Sequence, residues 1–278
     1  MTGVKEVLPW MYLKEWQRDN EYILRGYRRE QRSWRGCAAS IFGFNIHSHL
    51  FGAILFLYLL FTFQQTYFRQ YESIIYMDYA VFAIFLCSAV FCLFSSTFFH
   101  TFLAHSKEVS ALCNAVDYAG IVVLIVGSFF PCIYYAFYCE PHLQTLYLLL
   151  IVHAGAGAAY IVLDPEYRKP THRGARTKVF IALGLSAVIP VSHGLITHGY
   201  RKLLHEMGFG WLLLSAFLYI SGAVLYAMRI PERLYPGKFD YFLASHQIFH
   251  IHVVLAALAH YACVLTAFDH WHGKIGTC

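Results

Sequence analysis

Tyr79-Ala80-Val81-Phe82-Ala83-Ile84-Phe85-Leu86-Cys87-Ser88-Ala89-Val90-Phe91-Cys92-Leu93-Phe94-Ser95-Ser96-Thr97-Phe98-Phe99-His100 decides the fold class. Residues 79–99 hold no Asp, Glu, Lys or Arg. At ~1.5 Å per residue, such a run crosses the roughly 30 Å hydrocarbon core of a bilayer. The run is continuous and long, which predicts helix, because lipid offers no water to satisfy open backbone. It closes on a histidine. An imidazole is costly at membrane depth and so marks a functional position.

The rest of the chain has the same character. Hydrophobic residues make up 58% of the 278 positions and charged residues 13%, against about a quarter in soluble domains. Seven apolar runs are predicted to span, at 49–66, 75–99, 111–136, 143–163, 178–198, 209–228 and 241–267. Turn chemistry separates them: Asp164-Pro165 follows the fourth, while Pro231 and Pro236-Gly237 precede the seventh. The expected architecture is all-α, a seven-transmembrane helix bundle. A cytosolic interfacial segment covers 1–45, the bundle 46–268 and a short extracytosolic tail 269–278.

Orientation follows from the basic residues. Of the 21 Lys and Arg residues, all but Arg69, Arg201, Lys202 and Lys274 fall on the side of the N-terminus. The positive-inside rule therefore predicts a cytosolic N-terminus and an extracytosolic C-terminus. This is the reverse of a G-protein-coupled receptor, and the Asn-Pro dipeptide of that family's seventh span is absent. The net charge of +5 reflects this bias and gives no reason to expect a nucleic-acid partner. The basic, aromatic N-terminal segment reads as an interfacial element lying on anionic headgroups. It has no early apolar stretch of the kind a signal peptide needs. The eight cysteines are scattered, which indicates neither a disulfide framework nor a thiolate site.

Four ionisable residues stand out within the apolar runs: His100, Asp117, His246 and His250. The last two lie in Ser245-His246-Gln247-Ile248-Phe249-His250, and a spacing of four puts both on one helix face. With alternating spans, His100 ends the second, Asp117 lies near the start of the third, and the pair opens the seventh. All four are thus expected in the cytosolic third of the bilayer. Three imidazoles and a carboxylate at one depth suit a metal site with three protein ligands and an open position. Haem ligation and purely packed histidines compete with this reading, although an i,i+4 pair on one helix cannot sandwich a porphyrin. His153, His193, His198 and His260 are read as packing residues. His252, six positions from His246, faces away from the pair.

Longer stretches make the chain recognisable. They are Asp19-Asn20-Glu21-Tyr22-Ile23-Leu24-Arg25-Gly26-Tyr27-Arg28, Ser95-Ser96-Thr97-Phe98-Phe99-His100, Asp117-Tyr118-Ala119-Gly120-Ile121, Arg229-Ile230-Pro231-Glu232-Arg233 and Pro236-Gly237-Lys238-Phe239-Asp240 before Ser245–His250. In this order, over roughly 15–268, they resemble the progestin and adipoQ receptor family, and most nearly its adiponectin-receptor branch. The resemblance implies zinc on His100, His246 and His250. It implies that Asp117 holds the water at the metal, with Ser96 in the S-x-x-x-H element beside it. It further implies hydrolysis of a lipid amide, ceramide to sphingosine and fatty acid. The alternative is a receptor, or a regulator of lipid, zinc or membrane fluidity, with a structural metal. Expected partners are a ceramide-like membrane lipid or a free fatty acid, and an extracellular ligand is left open. The expected location is the plasma membrane or an endomembrane. One departure is visible: Ile41-Phe42-Gly43-Phe44 leads directly into Asn45-Ile46-His47-Ser48-His49, where the family usually has a polar Asn-Glu-Thr-type turn.

Overall fold

The computed structural model describes residues 7–39 and 43–273. Among the described residues, seven apolar helical segments have the length to cross a membrane. They are Phe44–Thr66, Tyr76–Phe102, Lys107–Ala136, Pro141–Leu163, the broken pair Arg173–Leu185 and Val188–His198, Phe209–Met228, and Ser245–Gly273. The chain is an integral multi-pass membrane protein with the expected all-α bundle. Large apolar side chains such as Phe61, Ile196 and Phe217 point outward and are exposed. That outer surface is one that lipid would cover.

Two element bounds differ from expectation for physical reasons. The first span begins at Phe44, so the polar run Asn45–His49 is helical and faces the bundle. The seventh extends to Gly273, beyond the expected end of the bundle. Ser40, Ile41 and Phe42, next to the departure from the family pattern, lie outside the described residues, as do 274–278 of the expected tail. The fifth span breaks at Ser186–Ala187. Pro190 has no N–H, and its ring would crowd the Ser186 carbonyl in an unbroken helix. The Ile189 N–H takes that carbonyl instead, at 3.2 Å.

Small residues allow close helix approach, as membrane bundles require. A Cβ at Gly127 would lie 2.6 Å from the Ser88 Cβ, and one at Gly222 would lie 2.7 Å from the His252 Cβ. The first, second and seventh spans meet in a solid core that includes Phe56, Phe82, Phe85, Val264 and Phe268. The third, fifth, sixth and seventh spans instead enclose a cavity of about 500 Å³.

At the end of the bundle away from His100, a buried carboxylate holds three spans together. Asp78 is 0% exposed and accepts hydrogen bonds from Tyr135 Oη at 2.8 Å, His272 Nε2 at 3.1 Å and the Ile75 N–H at 2.9 Å. Cys139, near that end, is disulfide-bonded. The scattered cysteines had given no reason to expect this.

Much of the N-terminal segment is bonded to the bundle. Val7–Leu8 pairs with Tyr27–Arg28 in a short antiparallel hairpin. From there the chain crosses the helix ends: Gly237 N–H donates to Tyr22 O, Leu24 N–H to Asp240 Oδ1, and Gln31 N–H to Ala104 O.

Candidate metal centre

Each histidine is positioned by its own helix. His100 sits in the last turn of the second span, 7% exposed; His246 and His250 occupy the first two turns of the seventh, with His250 1% exposed. The three ring centroids are 4.7 to 4.9 Å apart, and one nitrogen from each lies within 4.8 Å of the others. His100 Nε2 and His246 Nε2 are 3.0 Å apart. Nitrogens held at 2.0–2.1 Å by a tetrahedral metal stand about 3.4 Å apart, so a small spreading would accommodate one ion. Rings this close leave no room for a porphyrin between them.

The first span supports this cluster. Ser48 Oγ is hydrogen-bonded to His250 Nδ1 at 3.2 Å, which leaves His250 Nε2 for the centre. The His49 ring stacks on His250, with centroids 3.6 Å apart and planes 9° apart. His49 is 3% exposed, and neither of its ring nitrogens pairs with another side chain. Neither Ser48 nor His49 stood out in the sequence. The partners that reveal their role come from a helix some two hundred residues later.

Asp117 is 8% exposed, lies outside the three-histidine group and lines the cavity together with His246 and His250. Ser96, 3% exposed, lines the same end and pairs with the Asp117 carboxylate. The remainder of the cavity is mostly apolar and extends between the spans as far as Leu203, Met207 and Ala267. The histidines read as packing residues lie outside the three-histidine cluster, although His198 and His260 line the cavity. His260 bonds Ser128 O at 2.9 Å, His193 bonds Tyr147 Oη at 2.8 Å, and His252 turns toward Gly222.

The N-terminal segment fastens both ligand-bearing helices. Arg28 donates to Thr101 O at 2.9 Å and to His100 O. Glu232, 0% exposed, accepts from Asn20 Nδ2 at 3.0 Å, from the Ser245 N–H at 2.7 Å and from Ser245 Oγ. A carboxylate at that helix N-terminus also matches the helix dipole. Asp19 pairs with Arg173 at 2.5 Å. Crowding by the protein pushes the Asp19 carboxyl up, but the Arg173 guanidinium outweighs it and holds the carboxyl below its usual range. Because 56% of the Asp19 side chain still meets solvent, screening limits what that pair contributes.

A family model described as "Haemolysin-III related" matches residues 43–261, most of the chain. The chain belongs to this family, that of the progestin and adipoQ receptors. Among its relatives is the "Progestin and adipoQ receptor-like protein 1" of Caenorhabditis elegans, 41% identical over 92% of this chain and 59% of that one. The "Adiponectin receptor protein" of Drosophila melanogaster is 41% identical over 90% of this chain and 56% of its own length. The "ADIPOR-like receptor IZH2" of Saccharomyces cerevisiae is 36% identical over 98% and 87%. The chain therefore spans somewhat over half the length of the two animal relatives. Family membership and the clustered histidines together identify a membrane protein able to hold a metal ion.

Proposed function

We propose that this protein is a zinc-dependent intramembrane hydrolase of lipid amides, cleaving ceramide to sphingosine and a fatty acid, with its N-terminus in the cytosol. One observation carries the reading. Three imidazoles, those of His100 and His250 buried and that of His246 half-buried, converge where an apolar cavity ends on a separate carboxylate, Asp117. Three neutral imidazoles suit zinc, which when bound supplies a Lewis acid and brings a water's pKa from 15.7 toward 7. The cavity takes the acyl chain, and its apolar walls exclude bulk water. Asp117 accepts a proton from the attacking water as oxygen bonds to the acyl carbon. The C–N bond breaks, and Asp117 returns that proton to the leaving amine. Ser96 orients the Asp117 carboxylate.

The relatives' names support a second reading, a receptor in which the metal is structural. Purified protein distinguishes the two. Hydrolysis predicts about one zinc per chain and sphingosine release from ceramide that stops on chelation and returns with zinc. One zinc per chain with no release, and thermal stability lost on chelation, favours the receptor.

A further inference from the structure

His49 is a buried side chain with hydrogen-bonding capacity left unmet beside the candidate metal centre. A neutral imidazole carries one donor and one acceptor, and buried polar groups in folded proteins nearly always find partners. Neither nitrogen of His49 finds a side-chain partner in the protein, although the ring is 3% exposed and the residue lines the cavity. The ring is also held in place: it lies parallel to His250 at 3.6 Å, which sets its edge beside the edge of a candidate metal ligand. Its own nitrogens are not among the three that converge. A polar group left unpaired in such a place is destabilising, and a ligand that supplies the partner recovers that cost.

We propose that His49 is a ligand-binding residue, the fourth histidine of the site, which hydrogen-bonds the polar head of the lipid in the cavity. The inference rests on the lipid-cavity reading above and names the residue that recognises the lipid's amide or hydroxyl group. The ligand class is a long-chain lipid with a compact neutral head able both to donate and to accept. An N-acyl amino alcohol has such a head. Ring stacking fixes His49 in direction, and the apolar cavity beyond selects the chain.

The test separates stacking from hydrogen bonding. His49→Phe keeps an aromatic ring against His250 and removes both nitrogens, while His49→Gln restores a donor and an acceptor without the ring. Binding of a fluorescent short-chain ceramide to the purified, zinc-loaded full chain in detergent is measured with zinc content and thermal stability. His49→Phe is expected to keep its zinc and bind the ceramide about tenfold more weakly, and His49→Gln to recover part of the loss. Wild-type affinity in His49→Phe overturns the proposal, and so does loss of zinc from that variant, which makes His49 a support of the metal alone. A wild-type protein that holds zinc but binds no ceramide overturns the lipid-cavity reading, and this proposal with it.

Discussion

Ser48 and His250 are hydrogen-bonded between the first and seventh spans, Oγ to Nδ1 at 3.2 Å. A bond of this kind fixes the tautomer and direction of a metal-binding imidazole, and its loss typically costs 10–100-fold in affinity or activity. Ser48→Ala should therefore weaken zinc binding by roughly tenfold or more while the bundle stays folded. A chelator competition titration reads the shift directly; an unchanged zinc affinity would show that stacking and packing alone orient His250.

Glu232 is the link between the N-terminal segment and the helix that carries His246 and His250. Glu232→Ala leaves the Asn20 amide and the Ser245 N–H without their buried acceptor, at a cost of about 1–3 kcal/mol for each. The expected result is a marked fall in the melting temperature in detergent together with loss of zinc. Glu232→Gln retains an acceptor and should lose less. Equal melting temperatures for wild type and Glu232→Ala would contradict the link.

Asp78 offers the opposite control. Its partners Tyr135 and His272 belong to the other end of the bundle. Asp78→Ala should destabilise the protein by about 1–3 kcal/mol, yet leave zinc stoichiometry and ceramide binding unchanged. Zinc loss in this variant at a temperature where it is folded would show coupling between the two ends.

The fold is legible in the sequence because length and hydropathy suffice: no soluble core requires an uncharged run such as 79–99. The convergence of His100, His246 and His250 is legible for a related reason, since alternating spans assign each residue a depth. What escaped reading depends on lateral contacts, which depth alone does not determine. His49 stood at the predicted start of the first span, whereas the helix begins at Phe44 and carries Ser48 and His49 against His250. Asp78 lay inside a predicted span without a visible partner, because Tyr135 and His272 come from two other spans. The N-terminal segment has the basic and aromatic composition of a headgroup-bound element. Its backbone and side-chain bonds to residues 101–104 and 232–240 leave no trace in composition.

The central claim is that the Asp117 carboxylate acts on water beside a metal it does not hold. Zinc content and sphingosine release from ceramide, measured together on purified wild type and Asp117→Asn, test it most directly. About one zinc per chain is expected in both, with turnover in the wild type and a loss of at least 10²-fold in the variant. Equal turnover in the two proteins, or loss of zinc from Asp117→Asn, would contradict it.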